Sequence, residues 1–179
     1  MIELKRTNES HRISLNRASE TNSSKASVKL TWEKGVDLDL HAFCFDSSGK
    51  FEHIGFFNKS TEDSNVKLDY DAGVGNVAGR NEENLVVLDL KKTSKVIFAA
   101  NIFRFFGGLF SWGDKFGNYD GKIHFKAGGE EIVVYLNSND PGRWALISMI
   151  TTKEHLSLIK NISLILPDEP DEAYLRSLV

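Results

Sequence analysis

The residues of this chain best able to do chemistry stand in the run Gly35-Val36-Asp37-Leu38-Asp39-Leu40. Two aspartates two positions apart on a strand point to one face, with Cα atoms roughly 6.5–7 Å apart. The apolar residues around them, Val36, Leu38 and Leu40, bury the opposite face and fix that direction. Carboxylates held side by side repel each other unless protons or a cation intervene. Calcium takes about 6–8 oxygens at roughly 2.3–2.6 Å and suits such a pair. The alternative is an acidic pair that faces water at the start of a strand, a common surface feature. Spacing alone leaves both open.

A second source of oxygen is the segment from Asp71 to Glu83, which reads as a glycine-containing loop long enough to carry a function. Gly73, Gly75 and Gly79 permit positive φ, so backbone carbonyls can turn toward a cation. Asp71, Asn81, Glu82 and Glu83 place side-chain oxygens at both ends of the loop. The spacing Gly73-x-Gly75-x-x-x-Gly79 has the look of a phosphate cradle. It fails on context, because no Lys-Ser/Thr pair follows and the next segment reads as strand rather than helix.

Other chemistry is weaker. His11, His41, His53, His124 and His155 are scattered singly. His41 faces the same way as Asp39, which makes a mixed His/carboxylate transition-metal site an option; a rim histidine bonding a carboxylate is the ordinary reading. His124 and His155 have no carboxylate at ligand spacing. Cys44 is the only cysteine, which excludes an internal disulfide and a cysteine-rich zinc site. It lies on an apolar strand face, where a thiol is inert. No nucleophile elbow or zinc-protease helix is present, and no enzymatic activity is expected. The run from Phe103 to Trp112 is aromatic and glycine-broken. Phe105, Phe106, Phe110 and Trp112 either fold back into the core or form an exposed patch that docks a protein partner or a membrane surface.

These groups need a scaffold, and the periodicity supplies strands. In Ser27–Glu33, Val28, Leu30 and Trp32 share one face. Val36–Phe45 puts Val36, Leu38, Leu40, Ala42 and Cys44 on one side, while the other side begins with Asp37, Asp39 and His41 and turns apolar at Phe43 and Phe45. The turn Asp46-Ser47-Ser48-Gly49 predicts a hairpin return over Lys50–Phe57. Further strands are expected over Val66–Tyr70, Leu85–Leu90, Lys95–Ile102, Lys122–Ala127, Glu131–Asn137, Ala145–Thr151 and Leu156–Leu166, with a tight turn at Gly128-Gly129. Asp171 is placed to cap a short helix running through Arg176. Together these predict an all-β, two-sheet sandwich with long loops and a short C-terminal helix. The 179 residues suit one domain, 1–179, and the net charge of −3 gives no reason to expect nucleic acid. No run approaches the roughly 20 apolar residues of a membrane span, and no signal-peptide-like stretch follows Met1–Arg6. The expected location is the cytoplasm.

The order of these motifs resembles the TerD-like tellurite-resistance and stress-response family. The matching pieces are Ile13-Ser14-Leu15, Val28–Trp32, the Asp37-Leu38-Asp39 strand leading to Phe43, the Asp46–Gly49 turn and Phe56-Phe57-Asn58. They continue through the acidic loop opening at Asp71, Leu88-Asp89-Leu90, Val96–Ala99 and Phe116-Gly117, so that the likeness covers roughly residues 13 to 137. The resemblance implies a calcium-binding β-sandwich of stress systems, without enzymatic activity. Carried over to this chain, it makes Asp37, Asp39, Asp71, Glu82, and Asn81 or Glu83 the ligands of one or two Ca2+ ions, with backbone carbonyls near Gly75 and Gly79. The loop departs from the family pattern at Ala72 and at Arg80-Asn81, where an arginine brings positive charge to a place that wants negative. The function expected is a calcium-dependent module acting through ion-ordered loops on protein partners. The rival is a metal-independent assembly protein docking through its aromatic loop and C-terminal tail.

Overall fold

Alternation of inward apolar and outward polar side chains builds the ladder. In the strand Ala26–Glu33 (β3), Ala26, Val28, Leu30 and Trp32 are buried while Ser27 and Glu33 face water. In Asp37–Asp46 (β4), both faces are covered, for a reason that the C-terminus provides. The computed structural model describes residues 1–15, 24–33, 36–69, 80–103 and 115–179.

The described residues form two sheets of six strands each. The remaining strands are β1 (Ile2–Leu4), β2 (Ser10–Ser14), β5 (Phe51–Ile54), β6 (Val66–Leu68), β7 (Arg80–Val87), β8 (Thr93–Phe103), β9 (Gly121–Ala127), β10 (Glu130–Leu136), β11 (Trp144–Lys153) and β12 (Leu156–Leu166). The first sheet runs β1-β10-β9-β3-β7-β6 and the second β2-β12-β11-β8-β4-β5. The β1–β10 pair is parallel and the other described pairs are antiparallel. Between the sheets lies a core that includes Leu30, Leu38, Leu40, Leu85, Phe98, Ile123 and Phe125. The all-β sandwich expected from the periodicity is therefore the observed fold. No helix among the described residues is long and apolar enough to cross a membrane.

A second apolar cluster covers the outer face of the second sheet. Phe43, Phe45, Ile97, Leu146 and Met149 meet Leu175 from the C-terminal helix α1 (Glu172–Ser177). Asp171 caps that helix by accepting from the Tyr174 amide at 2.7 Å, as its position predicted. Lys95 closes the other end, its Nζ donating to the carbonyls of Leu175, Arg176 and Leu178 at 2.9–3.0 Å. The tail thus supplies the cover that Phe43 and Phe45 require.

Several element boundaries differ from the periodicity, three of them with a visible cause. Arg80–Glu83, read as the end of a loop, is the first half of β7 and pairs with Glu33–Leu30 of β3. The backbone of β3 needs a partner along its whole length, and that outweighs the polar composition of Asn81-Glu82-Glu83. The hairpin arm after Gly49 ends at Ile54, because the chain turns back at a bridge between Gly55 and Asn58. The strand expected over Leu85–Leu90 stops at Val87, since Asp89 accepts from the Lys91 amide at 3.0 Å and starts a 3-10 turn over Leu90–Lys92. The strand Ile2–Leu4 is too short to show a period.

Candidate functional site

Strand β4 positions the aspartates as their spacing requires. Leu38 and Leu40 are fully buried between the sheets, which turns Asp37 and Asp39 to the outer face of the second sheet. Asp37 is half-buried and sits opposite Phe103; Asp39 is 9% exposed and sits opposite Asn101. Glu33 at the end of β3 pairs with Arg80 at the start of β7, and Asp37 begins β4 only four positions after Glu33. The indole of Trp32 ties this corner together by donating to the Val36 carbonyl at 2.8 Å. The starts of β4 and β7 therefore share one end of the sandwich.

Glu83 links the two sheets there. It is 4% exposed, and its Oε2 accepts from the Leu40 amide at 2.5 Å. The cause is register. Strand β5 accompanies β4 only as far as Ala42, opposite Ile54, and β6 accompanies β7 only as far as Leu85, opposite Leu68. Beyond Ala42 no described residue of β5 pairs with β4, and the Glu83 carboxylate satisfies a backbone donor that β5 does not reach. A bond with an ionised acceptor is short and about twice as strong as a neutral one.

Among the other expected ligands, β7 separates neighbours. Asn81 alternates with Glu83 on the same side, whereas Glu82 points to the opposite face and pairs with Lys29 at 3.0 Å. Asp71 and Gly75 lie outside the described residues, as do Phe105, Phe106, Phe110 and Trp112. Among the described residues no group of three or more His, Cys, Asp or Glu side chains is placed to hold a metal ion. The described donors at this end are carboxylate and amide oxygens, hard ligands of the kind calcium takes.

The chain matches no protein-family model and no curated protein.

Farther along the same face of β4 lies a group that the linear sequence hides. His41 is 1% exposed, and its Nδ1 is 3.0 Å from Nε2 of His53 on β5. His53 in turn meets Oε1 of Glu169, from the tail, at 3.0 Å through Nδ1. Trp144 packs against His41 with ring centroids 4.6 Å apart, and Phe43 and Phe57 stand 4.3 and 4.7 Å from the His53 ring. Burial, reinforced by repulsion from His53, pulls His41 from its ordinary 6.5 down to about 3, against an opposing hydrogen-bonding influence from Asn101. Burial alone takes His53 down to about 4. Both imidazoles are neutral at neutral pH. The signal for this pair was in the Asp46–Gly49 turn, which sets Phe45 opposite Phe51 and so brings His53 opposite Phe43, one step from His41.

His11 and His124 are half-buried beside carboxylates. His11 contacts Glu130 at 2.6 Å. The Gly128-Gly129 hairpin brings Glu131 within 3.9 Å of His124, a carboxylate neighbour not evident from spacing. Cys44 is buried as expected, and burial pushes its thiol well above the usual range, so it is held unreactive.

Proposed function

We propose that this chain is a calcium-binding module of the TerD-like stress-response type, acting in the cytoplasm on protein partners and not as an enzyme. The observation that supports it best is the pair Asp37 and Asp39, turned to one face of β4 at the end of the sandwich where β7 also begins. Asp37 and Asp39 anchor the ion from a rigid strand. Asp71 and carbonyls near Gly75 and Gly79 supply the remaining oxygens, since Glu83, with Asn81 on its side of β7, is turned between the sheets and already bonded to the Leu40 amide. A second ion would draw on Glu82, whose carboxylate is turned toward Lys29. Calcium neutralises the paired aspartates and ties them to the 71–79 segment, and the surface so formed is what a partner recognises.

The test is a thermal melt of metal-stripped protein in chelator, magnesium or millimolar calcium. A ligand at 100 times its Kd stabilises the native state by about 2.7 kcal/mol. In a domain of this size that raises Tm by roughly 5–10 °C. The rise is expected with calcium, smaller with magnesium, and absent in the Asp37→Asn/Asp39→Asn double variant. No calcium shift in the native sequence would refute the reading. Partner binding that persisted unchanged in the double variant would favour metal-independent assembly.

A further inference from the structure

We propose that His41 and His53 form a binding site for a first-row transition-metal ion of the zinc(II) kind, separate from the carboxylate end and independent of the calcium reading. Their facing nitrogens, Nδ1 and Nε2, already lie 3.0 Å apart. Two zinc–nitrogen bonds of about 2.0–2.1 Å at a tetrahedral angle place the nitrogens about 3.3–3.4 Å apart. The rings need part by only a few tenths of an ångström. Both stand on paired strands, β4 and β5, which hold them in that approach.

The outer nitrogens are arranged as those of metal ligands usually are. Nδ1 of His53 is held by Oε1 of Glu169 at 3.0 Å. A carboxylate behind a ligating histidine fixes its tautomer and raises its basicity. On the far side of His41, Nε2 is buried without a partner, and so is Oδ1 of Asn101, the neighbouring side chain that bears on His41 as a hydrogen-bonding group.

Counting protons explains that pair of orphans. In the tautomer that the Glu169 contact favours, His53 donates its Nδ1 proton to Glu169, its Nε2 carries none, and that nitrogen accepts a proton from Nδ1 of His41. A neutral His41 then has a bare lone pair at Nε2, next to another acceptor, Asn101 Oδ1. A metal ion between the rings removes the conflict. Both inner nitrogens become ligands, the His41 proton sits on Nε2, and Nε2 can donate to Oδ1. The tautomer that metal binding requires is the one that satisfies the buried acceptor.

Gly55 packs closely against His41, where no side chain has room. A Cβ at this position would stand 2.4 Å from Nδ1 of His41 and 2.8 Å from its Cε1. Phe43, Phe57 and Trp144 wall the rings, and the His53 side chain is 12% exposed, which gives an ion a way in from the rim. With two protein ligands, the remaining coordination positions go to water or to an incoming small ligand. Imidazole nitrogens select zinc, copper or nickel over calcium.

The experiment is a zinc titration of the metal-stripped full chain at neutral pH, in competition with a chromophoric chelator. One equivalent should bind. Glu169→Gln changes an exposed side chain that touches no metal, and it should weaken zinc binding about 10–100-fold. His53→Gln and Gly55→Ala should each weaken it at least as much, while His155→Gln and Asp37→Asn/Asp39→Asn leave it unchanged. Absence of zinc binding in the micromolar range would overturn the proposal. So would an affinity that Glu169→Gln and His53→Gln leave untouched, or one that the His155 or aspartate variants abolish.

Discussion

Lowering the pH from 7 to 5 in the presence of chelator should destabilise this protein through its buried histidines. In the folded chain burial draws His41 down to about 3 and His53 down to about 4, from an ordinary value of 6.5. The unfolded chain therefore binds more protons throughout the interval below 6.5. The stabilisation is complete above that value and is lost as the pH falls toward the folded values. At pH 5 both folded values still lie below the solution pH, so the loss depends only on the unfolded pKa. The distance of 1.5 units from 6.5 corresponds to about 2 kcal/mol for His41. His53 sits nearer solvent and contributes less, so the pair accounts for roughly 2–4 kcal/mol, a large part of a typical 5–15 kcal/mol stability. Urea denaturation at several pH values measures it directly. The slope near pH 5 should include about 1.4 kcal/mol per pH unit for each neutral buried histidine, and His53→Gln should remove at least one such share. A variant slope equal to the native one would refute the argument, because the remaining histidines and carboxylates are common to both proteins.

Glu83→Gln keeps the shape of the clasp but removes the charge from its bond to Leu40, and should cost roughly 1–2 kcal/mol, with faster hydrogen exchange at the Leu40 amide. Leu175→Ala empties a fully buried position beneath the tail and should cost about 2–5 kcal/mol by urea denaturation, with new protease cleavage after Leu166. Asp171→Ala removes the helix cap and should cost about 1 kcal/mol, seen as loss of protection at the Tyr174 amide.

Strand faces were legible because alternation is local. Leu38 and Leu40 on one side oblige Asp37 and Asp39 to the other, and the structure places them so. Phe43 and Phe45 also announced a buried outer face. What covers it was not legible, because Leu175 and Glu169 arrive from the far end of the chain and local periodicity carries no information about contacts at such separation. The first half of β7 was hidden for a different reason. Asn81, Glu82 and Glu83 have loop-like side chains, yet their backbone is claimed by β3, and pairing outweighs intrinsic preference. His41 and His53 look unrelated in a linear reading; only the hairpin register makes them neighbours.

The placement of donors along β4 follows from what each can afford to lose in water. Asp37, Asp39 and His41 occupy successive positions on one face, but the cover over that face changes between them. Both aspartates stand before β5 begins to pair; Asp37, half-buried, keeps access to water or to a cation, whereas Asp39 is already largely covered. His41 stands where Gly55, Trp144 and the tail close over the strand. A carboxylate there would be desolvated with no cation on its own strand, whereas an imidazole can give up its charge and remain as a neutral donor and acceptor. The same geometry that turns His41 neutral leaves its Nε2 and Asn101 Oδ1 without partners, and that residual conflict is what distinguishes this pair from a fully satisfied histidine hydrogen bond. Oxygen ligands at the start of β4 and nitrogen ligands under cover would then answer to different ions, so calcium melts and zinc titrations should respond to non-overlapping sets of substitutions.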